Sequence, residues 1–242
     1  MAGMNILIKG AEKLGLNLTP EQLQKFEVYY QELVEWNERV NLTSVTGYEE
    51  AQVMHFLDSL TVISGFPSVP QDKQPRIIDV GTGAGLPGIP LRIVLPEIGL
   101  VLLEATAKKA EFLKNITAKL ELDNIEIIRG RAEEVARDEL CRESFDIVVS
   151  RALAPLNILA ELTLPFCANG GRLIAQKKGD ISQEVHQASR AVNTLGGEMC
   201  EVLDINLDEF VDDRHLVIIN KVKATPSKYP RRPGIPTKKP IL

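Results

Sequence analysis

The chain has 242 residues, of which 44% are hydrophobic and 25% are charged, and its formal net charge is −5. This composition is ordinary for a globular protein. The sequence contains no run of about 18 apolar residues, so no membrane-spanning helix is predicted. The N-terminus shows neither the apolar stretch nor the cleavage site of a secretory signal, so we expect a cytoplasmic protein. The three cysteines are widely spaced, and their odd number argues against a disulfide framework or a metal site.

Residues 1–70 are predicted to form a small helical extension. Thr19, Pro20 and Gln22 have the spacing of a helix N-cap, a proline in the first turn and a capping-box partner. Apolar residues then recur at helical spacing to about Asn41, and a second helical pattern covers residues 48–63. The segment 68–75 is rich in proline and polar turn-forming residues, and we interpret it as a linker.

Residues 71–222 alternate short β-type runs with helical segments, which predicts an α/β domain. The predicted strands are Arg76–Val80, Leu100–Glu104, Ile125–Arg129, Phe145–Ser150, Gly171–Gln176, Met199–Leu207 and Leu216–Val222. The first five are mostly apolar, as in parallel strands that helices cover on both faces. The connection between the last two is too short for a crossover helix, so they should pair as a hairpin. We therefore expect a Rossmann-like sheet of seven strands with its last strand antiparallel.

The C-terminal tail, residues 223–242, is basic and rich in proline. From residue 221 onward there are seven basic residues and no acidic ones, whereas residues 1–220 carry 21 basic and 33 acidic residues. Such a tail on an acidic body indicates a polyanionic partner, although a solubilising tail has the same composition. Its five prolines predict an extended segment without helix or regular sheet, mobile until it meets a partner.

The most informative motif follows the first predicted strand. Residues 79–88 read DVGTGAGLPG and lie at the strand-to-helix turn where open α/β sheets bind ligands. Gly83, Gly85 and Gly88 satisfy the spacing of a dinucleotide fingerprint, and Glu104 is placed to accept from a ribose hydroxyl. A NAD-dependent dehydrogenase is therefore one interpretation of the loop.

The other interpretation is an S-adenosylmethionine-binding loop, in which Asp79 stands two residues before Gly81. A carboxylate there suits a cationic ammonium group and repels a pyrophosphate. Glu104 ends the second strand, and Ala132 and Glu133 follow the third, where a carboxylate accepts from an adenine amino group. Together with the terminal hairpin, these positions favour a methyltransferase over a dehydrogenase.

Taken together, the motifs resemble the 16S ribosomal RNA guanine-N7 methyltransferase G family, also called glucose-inhibited division protein B. The matching segments cover nearly the whole chain: WNERVNLT at 36–43, HFLDSL at 55–60, DVGTGAGLPGIP at 79–90, SRA at 150–152, QKKG at 176–179 and YPRRPGIPTKKP at 229–240. The resemblance implies an S-adenosylmethionine-dependent enzyme that methylates N7 of a guanosine in 16S rRNA of the small ribosomal subunit. It implies no membrane and no obligate protein partner.

The loop pattern and the resemblance together predict the site residues. Those expected to bind the cofactor are Asp79, Gly81, Gly83, Gly85, Leu86, Glu104, Ala105, Thr106, Ala132, Glu133 and Arg151. Those expected to contact RNA are Lys108, Lys109, Lys177, Lys178, Arg231 and Arg232. Lys108 and Lys109 equally fit a solvated helix face, and Arg151 equally fits the cofactor, a phosphate or the target base. We expect removal of residues 224–242 to weaken RNA binding and to leave cofactor binding intact.

Methylation of guanine N7 requires no general base, because N7 offers a lone pair and releases no proton. The histidines agree with this expectation, since none lies in a motif that would position a base. His55 is predicted to be a packed structural residue, and His186 and His215 are predicted to lie at the surface or in the hairpin. A non-catalytic RNA-binding or assembly factor is the alternative from another class, and the intact loop with Asp79 and Glu104 argues against it.

Overall fold

A computed structural model describes residues 3–67 and 74–242, so most of the predicted linker 68–75 lies outside the described residues. The strands form one sheet in the order β3-β2-β1-β4-β5-β7-β6. They are β1 Arg76–Val80, β2 Gly99–Glu104, β3 Ile125–Arg129, β4 Phe145–Arg151, β5 Cys167–Lys178, β6 Gly197–Ile205 and β7 Arg214–Lys221.

The sheet topology confirms the predicted fold class. Strands β1 to β5 pair in parallel, and β7 runs antiparallel to both β5 and β6. Strand order reverses direction between β1 and β4, which is the switch point where open α/β sheets bind ligands beyond the carboxyl ends of the strands. Strand β5 begins four residues before the predicted strand, because Cys167 pairs with Phe145 and the ladder resumes only at Arg172.

The helices of the described residues lie on both faces of the sheet. The α-helices are α1 Asn5–Lys13, α2 Pro20–Asn37, α3 Tyr48–Ala51, α4 Asp58–Leu60, α5 Gly88–Val94, α6 Ala107–Lys119, α7 Ala132–Val135, α8 Leu156–Thr163, α9 Ser182–Thr194 and α10 Ile235–Lys238. A π-helical stretch Gln52–Leu57 joins α3 to α4, and 3₁₀ turns cover Thr61–Gly65 and Leu164–Phe166. Within residues 3–67 and 74–242, no helix is long and apolar enough to cross a membrane.

Helix α2 begins as the sequence predicts. The Thr19 hydroxyl accepts a hydrogen bond from the Gln22 amide at 3.2 Å, and the Gln22 side chain accepts one from the Thr19 amide at 2.9 Å. The helix ends at Asn37, earlier than predicted, because the Asn37 side chain accepts hydrogen bonds from the amides of Leu42 and Thr43 and turns the chain. Helix α1 has no counterpart among the predicted helices.

Two hydrophobic clusters cover the two faces of the sheet. Alternate strand residues point to opposite sides, so Ile77 belongs to one cluster and Ile78 to the other. The first cluster includes the apolar stripe of α2, where Phe26 stacks against Phe56 with ring centroids 5.0 Å apart. The N-terminal helices therefore share a core with the sheet, and the division at residue 70 stays a prediction.

The tail differs from its prediction, which was wrong in excluding a helix. Residues 235–238 form one helical turn, α10, because Pro236 lies in the first turn, where no intrahelical N–H donor is needed. The predicted mobile conformation is also wrong, since Tyr229, Pro230 and Pro236 are buried. The Arg142 guanidinium donates to the backbone oxygens of Thr225 and Tyr229 at 2.8 and 3.0 Å and holds the tail to the domain.

Candidate functional site

The glycine loop connects β1 to α5 at the switch point of the sheet. Gly81 and Gly85 have left-handed backbone conformations, with φ of +73° and +92°. A Cβ atom on Gly81 would lie 2.6 Å from Leu153, and one on Gly85 would lie 2.9 Å from the Tyr29 hydroxyl. The Tyr29 hydroxyl also donates to the Ala84 oxygen at 2.5 Å, so α2 supports the loop from below. Larger residues would therefore change the loop both sterically and conformationally.

Asp79 lies beneath the loop and is completely buried. Its Oδ2 accepts from the Thr82 hydroxyl at 2.6 Å and from the Gly88 amide at 2.8 Å, which ties the two ends of the loop together. Its Oδ1 is buried and has no hydrogen-bond partner among the described residues. Burial raises the pKa of this carboxyl to about 6, although the bonds from Thr82 and Gly88 act in the opposite direction.

Glu104 ends β2 and joins the glycine loop to the next turn. One carboxylate oxygen accepts from the Gly83 amide at 3.0 Å, and the other accepts from the Thr106 amide at 2.7 Å. Ala105 and Thr106 follow it and are exposed. Glu104 is itself buried, and each of its carboxylate oxygens has a second lone pair beyond these bonds.

A cavity of about 230 Å³ lies beside the glycine loop and is referred to as the loop cavity. Its lining residues are Val80, Gly81, Leu103, Ala105, Gly130, Arg131, Ala132, Glu133, Leu153, Ala154, Leu162, Gly234 and Thr237. Four predicted cofactor residues, Gly81, Ala105, Ala132 and Glu133, are thus brought together. Leu86 lies elsewhere, since it packs into the hydrophobic cluster on the α2 face.

A second cavity, of about 380 Å³, lies at the carboxyl ends of β4 and β5 and is referred to as the cationic cavity. Its lining residues are Thr43, Ser44, Val45, Met54, His55, Asp58, Arg151, Ala152, Gln176, Lys177, Lys178 and Arg214. Arg151, predicted to contact the cofactor, lines this cavity. Ala152 lines the cationic cavity and Leu153 lines the loop cavity, so the two cavities adjoin at the end of β4.

Asp58 holds two arginine side chains of the cationic cavity in place. Its Oδ2 accepts from Arg151 Nη1 at 3.0 Å, and its Oδ1 accepts from Arg214 Nε at 3.1 Å. The Asp58 backbone oxygen also accepts from the Gln176 amide nitrogen at 2.6 Å. Sequence reasoning missed the roles of Asp58 and Arg214. The available signal was an acidic residue between apolar residues of the HFLDSL segment.

His55 is buried, as predicted, and it also lines the cationic cavity. Its Nε2 lies 2.9 Å from the Thr43 hydroxyl oxygen. Burial and the positive charge of Arg151 lower the pKa of His55 to about 4, so the imidazole is neutral near pH 7. His215 pairs with Asp204 on the hairpin at 2.7 Å. In the described part of the chain, no three His, Cys, Asp or Glu side chains are placed to hold a metal ion.

The six predicted RNA-contacting residues differ in exposure and in pairing. Arg231 is paired with Glu161, and its Nη2 lies 2.5 Å from a Glu161 oxygen, while Lys177 Nζ lies 2.5 Å from a Glu184 oxygen. These two cations are engaged within the protein. Lys109 is half-buried. The exposed members are Lys108, Lys178 and Arg232.

Comparison with known proteins connects this geometry to one family. The family model described as GidB, rRNA small subunit methyltransferase G, matches residues 22–217. A protein of that name from Dehalococcoides mccartyi (strain BAV1) is 49% identical over 239 residues, covering 99% of this chain and 100% of the relative. One from Alkaliphilus metalliredigens is 44% identical over 242 residues, covering 100% of both chains. The crystal structure of precorrin-6y C5,15-methyltransferase from Geobacter metallireducens shares the fold, with a TM-score of 0.51 and 14% identity over 68% of this chain and 88% of that chain.

Proposed function

Because the chain belongs to the rRNA small subunit methyltransferase G (GidB) family, we propose that it transfers a methyl group from S-adenosylmethionine to N7 of a guanosine in 16S rRNA. The proposed substrate is the RNA of the small ribosomal subunit, which places the reaction in the cytoplasm. The dehydrogenase and the non-catalytic assembly factor are not favoured, since the relatives that match this chain over nearly its full length are named methyltransferases.

The observation that carries this proposal is the pair of adjoining cavities at the end of β4. The loop cavity is lined by small and apolar residues at strand ends and by the carboxylate of Glu133, which suits a nucleoside with an adenine ring. The cationic cavity contains Arg151, Lys177, Lys178 and Arg214, which suits a phosphate-bearing substrate. A donor and an acceptor held in neighbouring cavities meet where the cavities adjoin, at residues 152–153.

The loop cavity and the strand ends beside it fit S-adenosylmethionine. Glu104 has lone pairs for ribose hydroxyls, and Ala132 and Glu133 lie where the adenine is expected. The buried Asp79 Oδ1, which lacks a partner among the described residues, is the atom left for the ammonium group. Gly81 leaves open the space that a Cβ would fill. When bound, the cofactor supplies an electrophilic methyl group on a sulfonium.

The cationic cavity would hold the target guanosine. Arg151 and Arg214 are donors in fixed orientations, and guanidinium donors match both phosphate and the guanine O6 acceptor beside N7. Because Asp58 restrains both guanidinium groups, their positions do not depend on the substrate. This prior ordering lowers the entropic cost of placing N7 in line with the methyl group.

Methyl transfer to N7 requires alignment and no proton removal. A carbon–nitrogen bond forms as the carbon–sulfur bond breaks, the electron pair remains on sulfur, and the guanine ring becomes cationic. Holding two reactants in line lowers a barrier by about 7–11 kcal/mol. The neutral His55, whose Nε2 faces Thr43, is therefore not needed as a base, and we assign it a structural role.

Labelled S-adenosylmethionine offered with deproteinised 16S rRNA, small subunits and intact ribosomes tests the proposal. We expect label in 16S rRNA with at least one of these substrates, and mapping should place it on guanine N7. Gly81→Arg serves as the control for a blocked cofactor site. Label on an exocyclic amine, or no label in any ribosomal substrate, would contradict the proposed function.

A further inference from the structure

The C-terminal tail forms part of the loop cavity. Gly234 and Thr237 line it together with Glu133. The Gly234 amide donates to Glu133 Oε1 at 3.0 Å, so the tail contacts the carboxylate expected to face the adenine. That removal of residues 224–242 leaves cofactor binding intact stays a prediction, but this contact supports the opposite inference.

The tail is held in place by contacts outside the cavity. Glu161, which is almost fully buried in α8, accepts from the Arg231 amide at 2.8 Å and from Arg231 Nε at 2.9 Å. Arg137 Nη2 donates to the Pro230 oxygen at 2.5 Å. These contacts bring Gly234 to Glu133, because only two residues separate Arg231 from Gly234.

The same stretch of the tail presents cations to solvent. Arg232, Lys238 and Lys239 are exposed, whereas Arg231 is engaged with Glu161. The exposed cations lie within two residues of Gly234 or Thr237. A polyanion bound to them would therefore contact the segment that lines the loop cavity. Phosphate contacts of this kind contribute affinity for RNA without reading its sequence.

We propose that the tail couples RNA binding to cofactor binding. Gly234 and Thr237 act with Glu133 as the tail's part of the cofactor site, while Arg232, Lys238 and Lys239 bind RNA phosphates. Because one segment both contacts Glu133 and carries the exposed cations, a ligand that favours its position at one site favours it at the other, so each raises the affinity for the other by the same factor. The identity of both ligands rests on the proposed function.

A matched pair of glycine variants tests the contact with the cofactor. Gly234 and Gly170 have φ of +81° and +85°, and a Cβ on either would meet nothing within 4 Å. Alanine is strained equally at both positions, and only Gly234 contacts Glu133. By calorimetry, Gly234→Ala should raise the Kd for S-adenosylhomocysteine roughly tenfold, while Gly170→Ala should leave it unchanged. Equal Kd values for the two variants, with equal Tm losses, would overturn the assignment.

Titrations with and without deproteinised 16S rRNA test the coupling. In the wild type, RNA should lower the Kd for S-adenosylhomocysteine at least about fivefold. The full-length triple variant Arg232→Gln, Lys238→Gln, Lys239→Gln should have the wild-type Kd for S-adenosylhomocysteine without RNA. Addition of RNA should no longer lower that Kd. A Kd that RNA leaves unchanged in the wild type overturns the coupling.

The outcomes separate this inference from the proposed function. If 16S rRNA is methylated but RNA does not change the Kd, the coupling is wrong and the function stands. If the triple variant keeps the enhancement, RNA acts through other cations and the tail is not the coupling element. If neither deproteinised 16S rRNA nor small subunits bind at any salt concentration, both proposals fail.

Discussion

The loop cavity and the cationic cavity adjoin, yet they are built in different ways. The loop cavity is lined by residues at the ends of β1, β2 and β3, where Gly81, Ala105 and Gly130 are the first residues after their strands. The cationic cavity depends on side chains from separated parts of the chain, and Asp58 joins two of them. The comparison shows that a site made of strand ends can be identified from local patterns, whereas a site made of ion pairs cannot.

The strongest test of the comparison is Gly81→Arg, which should remove cofactor binding. Gly81 has φ of +73°, and even a Cβ there would meet Leu153 at 2.6 Å. We expect the Kd for S-adenosylmethionine to rise by more than ~100-fold, a cost of about 3 kcal/mol. Gly170→Arg is the control, because Gly170 has a similar φ in open space. Near-normal calorimetric binding by Gly81→Arg would contradict the role of the loop.

Two buried titratable groups, Asp79 beneath the glycine loop and His55 in the cationic cavity, have pKa values that shift in opposite directions. The pKa of Asp79 is raised to about 6, so its contribution to stability is present at low pH and is lost as the pH rises through 6. The pKa of His55 is lowered to about 4, so its contribution is present above its ordinary value of 6.5 and is lost as the pH falls towards 4. The two slopes should nearly cancel in the wild type.

Asp79→Asn should remove the pH dependence of stability that Asp79 contributes, so that the pH dependence contributed by His55 becomes measurable. Relative to the wild type, its free energy of unfolding should fall by about 2–3 kcal/mol on acidification from pH 6.5 to 4. Denaturant unfolding at several pH values measures this difference, and His55→Gln should show the opposite trend. Parallel curves for wild type and both variants would contradict the assigned shifts.

Asp58→Asn should impair the cationic cavity and leave the loop cavity unaffected. The amide has only one oxygen, so it loses a charged hydrogen bond to Arg151 or Arg214, and such bonds contribute about 1.5–3 kcal/mol. We expect the kcat for RNA methylation to fall about 30-fold while the Kd for S-adenosylmethionine stays unchanged. Asp204→Asn, which affects the pair with His215 on the hairpin, is the control. A comparable change in Kd and kcat would mean that the cavities act as one unit.

Asp79→Asn should also weaken cofactor binding moderately. Oδ2 accepts both loop hydrogen bonds, so the asparagine oxygen can replace it and keep the loop closed. The amide nitrogen replaces Oδ1 and cannot accept from an ammonium group. We expect a Kd about tenfold higher at pH 7.5. An unchanged calorimetric Kd would make Asp79 a structural support of the loop only.

The smallest expected effect belongs to Lys178, an exposed cation at the rim of the cationic cavity. Lys178→Gln should weaken RNA binding about two- to fivefold. It should also reduce the slope of log affinity against log salt concentration by about one. Filter binding at several salt concentrations measures both quantities. Lys223→Gln, an exposed tail lysine outside the two cavities, is the comparison variant. Equal effects of the two would indicate that Lys178 acts only through net charge.

The amino-acid sequence by itself determined the features that depend on neighbouring residues. Alternating β and helical patterns predicted the strands within a few residues, because strand and helix place side chains at different periods. The loop was recognisable because glycine readily adopts left-handed conformations, and Gly81, Gly83 and Gly85 all do so at this strand end. Glu104 and Glu133 were predicted as site residues because they follow strands whose ends meet at one edge of the sheet.

Only the tertiary structure decided the contacts between residues that are distant along the chain. Asp58 is 93 residues from Arg151 and 156 from Arg214, and no local pattern indicates which cation pairs with a given carboxylate. The tail shows the same limit. Its prolines and charges described an extended basic segment, while its path was set by Glu161 and Glu133, whose positions depend on packing of the whole domain.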